Sequence, residues 1–236
     1  MTQPPEPVFF DARHPCAYLP EQMARLPYRR PEAKLRPADF DQRLAEGDRR
    51  NGIYLYRTEC PACQACQSLR LEIANFRPNA TQRRMQRRGA ALLRVVVGEP
   101  VVDSRRVQLF NQHRECRDLA AGDTAINRQS YAEFLTESCC NTQEFAYWHE
   151  DRLVAVAIAD LGQEALSAVY CFYDPEFRPL SLGTYSILRQ VQFCRETNRR
   201  YLYLGFFIAQ SQHMSYKARF LPHERLIGGR WTTFDE

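Results

Sequence analysis

A chain of 236 residues suffices for one large or two small domains with a sizeable buried core. With 44% hydrophobic residues, 25% charged residues and a net charge of +4, its composition excludes a disordered tail, a fibrous repeat and a membrane bundle. The longest apolar stretch, Leu153 to Ala159, is too short to cross a bilayer, and residues 1–6 carry no basic start followed by an apolar run. A cytoplasmic protein with no membrane partner is therefore expected. An odd number of cysteines, nine, in a reducing compartment means buried thiols, a metal site or reactive thiols rather than a disulfide framework.

The first fifty residues are rich in proline, which breaks helices and predicts an extended, wrapped segment with short elements. One helix is expected after Pro37, with Phe40 and Leu44 four apart and Gly47 as its stop. Residues 51–57 read as a strand that delivers the chain into Cys60-Pro-Ala-Cys-Gln-Ala-Cys66, after which 68–73 alternate as another strand. A helix is predicted from Thr81 to about Leu93. On it, Arg83, Arg84, Arg87 and Arg88 share one face with no acid among them. A loop near 98–103 divides an N-terminal cysteine-containing, basic domain (1–100) from a second domain (101–236). The first hundred residues hold 17 Lys and Arg against 11 Asp and Glu, so the basic surface belongs to the first.

The second domain opens with helical segments around 104–118 and 129–138. Three strand-like runs starting at Phe145, Leu153 and Ala165, separated by Glu150-Asp151 and Gly162-Gln163 turns, predict an antiparallel meander. A loop over 174–180 leads into a helix from Ser181 to Thr197 with an apolar stripe of Ile187, Val191 and Cys194, and the chain returns as a strand from Arg200. This order predicts an α+β architecture with a mixed sheet.

Thiolates at the Cys60, Cys63, Cys66 spacing can converge on one ion, and soft sulfur suits zinc or an iron-sulfur centre. Cys16, with His14 two residues before it, is the candidate fourth ligand; the alternative is that these cysteines are small buried hydrophobes. The arginine face at 83–88 suits phosphate neutralisation, and otherwise is a solvated helix face. Around Ser181, Leu182 and Gly183 a helix begins after a strand and loop, so its free backbone N–H groups suit a phosphate or carbonyl oxygen; Ser181 also reads as an ordinary N-cap. The rings of Tyr170, Tyr173, Tyr185, Tyr201, Tyr203 and Tyr216 give the second half many polar-tipped aromatics.

Taken together, residues 14–20, 56–66, Phe76-Arg-Pro and 81–84 resemble the N-terminal half of the arginyl/leucyl-tRNA-protein transferases. Residues 166–175, Ser181-Leu-Gly-Thr-Tyr185, Tyr201-Leu-Tyr-Leu-Gly205, Met214-Ser-Tyr-Lys217, Phe220-Leu-Pro-His-Glu224 and Trp231 resemble the C-terminal half in the same order. The length fits the bacterial, leucine-transferring branch. The resemblance implies an acetyltransferase-like (GNAT-related) fold for the second half. It also implies transfer of leucine, or alternatively arginine, from charged tRNA to the N-terminal Asp or Glu of a protein, marking it for the N-degron pathway. Its partners would then be leucyl-tRNA, with arginyl-tRNA as the alternative, and acidic N-termini. Two departures stand out: Asp48 follows Gly47 where the family has an aromatic residue, and segment 111–130 lacks the usual pattern.

Such chemistry requires no cofactor and no covalent nucleophile, because an aminoacyl ester is already activated and an α-amine with a pKa near 7.7–8 is substantially neutral at physiological pH. Asp174, Tyr170 and Tyr185 are the candidate proton-handling residues. Lys217, beside Tyr216 and one of only two lysines, is the candidate receptor of the acceptor's carboxylate; its alternatives are a surface pair with Glu224 or a contact for the tRNA end. Two other functions compete: a coenzyme A-dependent acetyltransferase, for which Arg178 to Tyr185 supplies only one of the expected glycines, and a non-enzymatic RNA-binding metal module.

Overall fold

The computed structural model describes residues 6–117 and 125–235. The first part of the chain forms β1 (Val8–Phe10), β2 (Arg13–Pro15), β3 (Met23–Arg25), β4 (Tyr28–Arg29), α1 (Pro37–Ala45), β5 (Arg49–Asn51) and β6 (Tyr54–Tyr56). Then come β7 (Gln67–Glu72), α2 (Ala80–Leu92), β8 (Arg94–Gly98), α3 (Ser104–Cys116) and α4 (Arg128–Tyr131), which runs into a π-helical turn at 132–136. The remainder is β9 (Asn141–His149), β10 (Arg152–Leu161), β11 (Ala165–Tyr173), a 3-10 turn at 175–180, α5 (Leu182–Glu196), β12 (Tyr201–Phe207), α6 (Gln212–Ser215), a 3-10 turn at 216–219, β13 (His223–Ile227) and β14 (Arg230–Phe234).

An eight-stranded sheet in the order β14-β13-β7-β12-β11-β10-β9-β8 forms the frame, with a four-stranded sheet β1-β4-β6-β5 and the hairpin β2-β3 beside it. This is the mixed α+β architecture expected. The β9-β10-β11 meander is antiparallel, and β11 and β12, joined by α5, form the parallel pair. The boundary expected near residue 100 has strands of one sheet on both sides: β7 lies between β13 and β12, and β8 pairs with β9. Apolar residues cover both faces. Leu188, Val191 and Cys194 of α5 pack on one with Leu69, Leu71 and Leu204, and Leu109 and Phe110 of α3 pack on the other with Val156, Ile158 and Phe172. Burial on both faces explains why β10 reads as a continuous apolar run.

Residues 51–57 differ from the single strand expected. They are the turn and second strand of a hairpin, because Gly52 takes a positive φ of 56° and a Cβ there would lie 2.4 Å from the Glu133 carbonyl oxygen. Asn51-Gly52 is the turn signal, standing between the polar Arg49-Arg50 and the Tyr54-Leu55-Tyr56 run. The Val-rich strand β8 and the glycine-turned β13-β14 hairpin also emerge only in the structure. Part of the atypical segment 111–130 lies outside the described residues. No described helix is long and apolar enough to cross a membrane.

Two adjacent arginines on β5 fasten the small sheet to the large one. Arg50 is fully buried, donates to Asp160 at 2.7 Å and reaches the Leu135 carbonyl, while Thr142 donates to the other Asp160 oxygen at 2.6 Å. Nearby, Asp48 accepts from Arg29 and Arg57, which is the local reason for an acid where the family pattern has an aromatic ring. Removing one partner of such a pair strands a charge in low dielectric. Asp160→Ala is therefore expected to lower unfolding free energy by about 3–5 kcal/mol in urea titrations; a loss below about 1 kcal/mol would remove the pair from this role.

Candidate active site

The β11–β12 ladder closes only over Ala165–Ser167 and Tyr201–Tyr203, after which the strands part. Both carry an irregularity at that point: β11 shifts register against β10 between Ala168 and Tyr170, and β12 shifts against β7 around Leu204. Bulges increase twist, so two of them on neighbouring strands open a wedge. Gly205, at φ +79°, lies beside it. The chain leaving β11 turns through the 3-10 segment into α5, bringing that helix's N-terminus near the open end of the wedge.

Two cations occupy this gap. Arg49 of β5 donates to Ser167 Oγ at 3.0 Å and to the Ala168 carbonyl at 2.8 Å, both on β11. Lys217 donates to the Phe206 carbonyl of β12 at 2.7 Å, with Met214 Sδ at 3.4 Å. A Cβ on Gly205 would stand 3.0 Å from Arg49 Nη2 and 3.6 Å from Lys217 Nζ, so both charges flank one point. Both side chains are buried, and neither has a carboxylate within ion-pair distance among the described residues. Burial, with repulsion from Arg49, drives Lys217 down to about 7, and burial also lowers Arg49. The surface alternative for Lys217 is removed, since Glu224 pairs instead with Arg70 at 2.7 Å.

Tyr173, the last residue of β11, forms a second wall. Its phenol accepts from Arg117 at 3.3 Å, and its ring stands edge-on to His113 with centroids 4.4 Å apart. Burial lowers His113 to about 4, so its neutral ring accepts the Tyr173 backbone N–H at 3.2 Å. Tyr216 is also raised by burial, with Cys171 and Tyr173 as neighbours. Ser181 takes a left-handed conformation at φ 53° and makes no side-chain cap; this corrects the N-cap expectation and leaves the first turn of α5 without a side-chain acceptor. The Leu182 side chain is core, so only its backbone serves the site, while a Cβ at Gly183 would meet nothing nearer than the Tyr173 ring at 3.9 Å.

The three candidate proton-handling residues each have packing or ion-pair partners of their own. Asp174 accepts from Arg105, Arg152 and the Glu176 backbone. Burial opposes ionisation, but those donors prevail and hold its carboxyl below the usual range, which suits a structural corner rather than a base poised near neutrality. Tyr170 packs among Phe110, Phe134 and Phe172. Tyr185 is buried against Tyr147 and occupies the space that a side chain on Gly89 of α2 would need, so it locks α2 to α5. Arg49 is the residue that the pattern of motifs missed; the signal available was a pair of adjacent arginines on a short strand directly before an Asn-Gly turn.

Cys16, Cys60 and Cys63 neighbour Cys66, and together with burial they push its thiol up to about 12. Among the described residues, however, no three His, Cys, Asp or Glu side chains come together as ligands of one metal ion. The four cysteines named for a metal site are thus a group of neighbouring thiols, in which burial and mutual repulsion favour protonated Cys66. Cys66 also lies within electrostatic reach of Lys217, so this group borders the wedge. Arg83, Arg84, Arg87 and Arg88 are all exposed on α2, and Arg88 donates to the Pro179 carbonyl just before α5.

The family described as "Arginine-tRNA-protein transferase, N terminus" matches residues 14–84, and its C-terminus counterpart matches residues 105–227. An aspartate/glutamate leucyltransferase of Chromobacterium violaceum is 36% identical over 95% of this chain and 93% of its own length. One of Alkalilimnicola ehrlichii is 38% identical over 96% and 95%. Among solved structures, the C-terminal domain of a putative lysylphosphatidylglycerol synthetase from Agrobacterium fabrum shares the fold with a TM-score of 0.52 at 14% identity, over 72% of this chain and 59% of that one. With both halves of the family pattern matched in order and relatives similar from end to end, the chain belongs to the arginine-tRNA-protein transferases.

Proposed function

We propose that this chain moves leucine from leucyl-tRNA to the α-amine of proteins that begin with Asp or Glu, and that Lys217 and Arg49 receive the acceptor's side-chain carboxylate. The observation that carries this reading is the pair of buried cations with no carboxylate beside them among the described residues. Buried charge is costly unless compensated, and an incoming carboxylate supplies that compensation. Alanine at the acceptor's N-terminus would leave both cations uncompensated, which is a basis for discrimination. The names of the relatives support leucine as the donated residue and acidic N-termini as acceptors.

In the reaction the acceptor amine attacks the ester carbonyl, the amide bond forms, the bond to the tRNA ribose breaks, and a proton passes from nitrogen to the departing ribose oxygen. Positioning dominates, because the ester is already activated. The open first turn of α5 offers backbone N–H groups and the positive end of its dipole to the carbonyl oxygen or the terminal nucleotide. Of the exposed arginines of α2, Arg88 donates to the Pro179 carbonyl beside that end, and the face it belongs to suits the tRNA backbone. No step requires a metal or cofactor. The match of both halves to the transferase family favours this reading over an acetyltransferase or a non-enzymatic RNA module.

Lys217→Met is expected to lower kcat/KM for an Asp-initiated peptide by roughly 30-fold or more, as for truncation of one partner of a buried charge pair, with little change for an Ala-initiated peptide and near-normal leucyl-tRNA affinity. Loss of tRNA affinity with acceptor preference kept would move Lys217 to the donor side. Replacing Arg84 and Arg87 with Gln should weaken tRNA binding and flatten its dependence on salt by about two phosphate contacts; unchanged affinity at every salt concentration would return α2 to a solvated face.

A pH signature follows from the Lys217 value of about 7. At pH 8 the amine is mostly neutral, and a bound carboxylate raises its pKa, so binding an Asp-initiated peptide should take up more protons than binding an Ala-initiated one. By pH 6 Lys217 is already charged and the difference should vanish. Calorimetry in buffers of different ionisation enthalpy reads this directly, and equal uptake by the two peptides at pH 8 would contradict it.

A further inference from the structure

At the other end of α5 from the wedge lies a cavity of about 620 Å³ whose lining includes Arg77, Arg195, Asn198, Arg199 and Arg200, with Cys194 behind them and no Asp or Glu. Among the described residues, Arg200 alone of these arginines pairs with a carboxylate, Glu72 at 3.0 Å. Arg77 donates to the Ala74 and Phe76 carbonyls, and Arg195 to the Phe76 carbonyl at 3.0 Å, so their contacts are to neutral acceptors and their charges face the cavity's solvent side. The Arg199 Nε is buried and has no hydrogen-bond partner. An unmade bond at a buried charged donor is unfavourable, and several guanidinium forks around one space suit the oxygens of a phosphate.

This cavity is continuous with the basic face of α2. Arg83 donates at 2.6 Å to the carbonyl of Pro78, itself part of the lining, and Arg88, five residues on, donates to the Pro179 carbonyl at the start of α5. The two helices therefore run antiparallel, and the α2 arginines bridge the two ends of α5. Fifteen residues of α5 separate the wedge from the cavity by roughly 22 Å at 1.5 Å per residue. We propose that the cavity seats backbone phosphates of the donor tRNA several nucleotides from its aminoacylated end, making it an anchor remote from the chemistry. This rests on the reading of a charged tRNA as donor; polynucleotide is favoured over an acidic protein surface because the arginines line a continuous track that ends at the wedge.

The test compares leucyl-tRNA with a leucylated CCA trinucleotide, too short to reach the cavity, using one Asp-initiated peptide as acceptor. The double variant Arg195→Gln/Arg199→Gln should lose about 10-fold in kcat/KM on leucyl-tRNA, and the slope of log affinity against log salt should fall by between one and two. Turnover of the trinucleotide should stay within about twofold. Arg199→Lys, which retains charge, should recover part of the tRNA affinity. Equal losses on both donors, including the case of a misfolded variant rescued by neither donor, would assign these arginines to structure and overturn the proposal, as would unchanged tRNA kinetics. A loss seen only with a whole acidic acceptor protein, at an unchanged tRNA salt slope, would overturn it in favour of an acceptor surface. If the wild type itself uses neither donor, the donor reading fails and the cavity proposal with it; a normal wild type beside an unaffected variant sinks the cavity alone.

Discussion

A guanidinium and an ammonium held side by side without a carboxylate are the constraint on which the wedge between β11 and β12 depends. Where the strands part, their facing backbone groups lose the ladder that would have satisfied them. Arg49 takes up the carbonyl of Ala168 on one strand and Lys217 that of Phe206 on the other, so the charges replace missing strand-to-strand bonds. Backbone carbonyls satisfy donors but do not neutralise charge. The gap is thus held open and electropositive by the same two side chains.

The small sheet serves this arrangement. Successive residues of a strand point to opposite sides, so Arg49 enters the wedge while Arg50 turns to Asp160 and the carbonyls near the π-helical turn. One arginine is an ion-paired anchor and its neighbour is a cation with no acid partner among the described residues. A domain that looks like an accessory in the sequence therefore inserts a functional side chain into the large sheet, and β7 carries the continuity further by pairing with β12. The neighbouring thiols at Cys16, Cys60, Cys63 and Cys66 border this contact.

Much of the second half was legible from pattern alone, because the meander, α5 and β12 have strong apolar periodicity and clear turns. Lys217 was legible too, as a rare lysine in an arginine-rich chain. Arg49 was not, since nothing local distinguishes an arginine that pairs from one that does not; only the tertiary position of β5 separates it from Arg50. Asp174 read as catalytic because it ends a tyrosine-rich strand, yet Arg105 and Arg152 come from distant elements to neutralise it. Tyr185 misled for a similar reason: its position on the first turn of α5 suggested the site, while its ring direction is set by the tight approach of Gly89. The hairpin at Gly52 was hidden because its first strand is the polar Arg49-Arg50-Asn51, so only the run after the turn carries a strand pattern.

The central claim is that the two unpaired cations in the wedge read the acidic side chain of the acceptor. A crystal structure of the protein with an Asp-initiated peptide, and with a non-hydrolysable leucyl-adenosine analogue occupying the donor position, tests it most directly. The account predicts the aspartate carboxylate between Lys217 Nζ and Arg49 Nη2, at hydrogen-bond distances of about 2.7–3.2 Å, with the peptide amine directed toward the first turn of α5. A carboxylate bound on the α2 arginines, or Lys217 and Arg49 left without an anionic partner in the occupied complex, would contradict it.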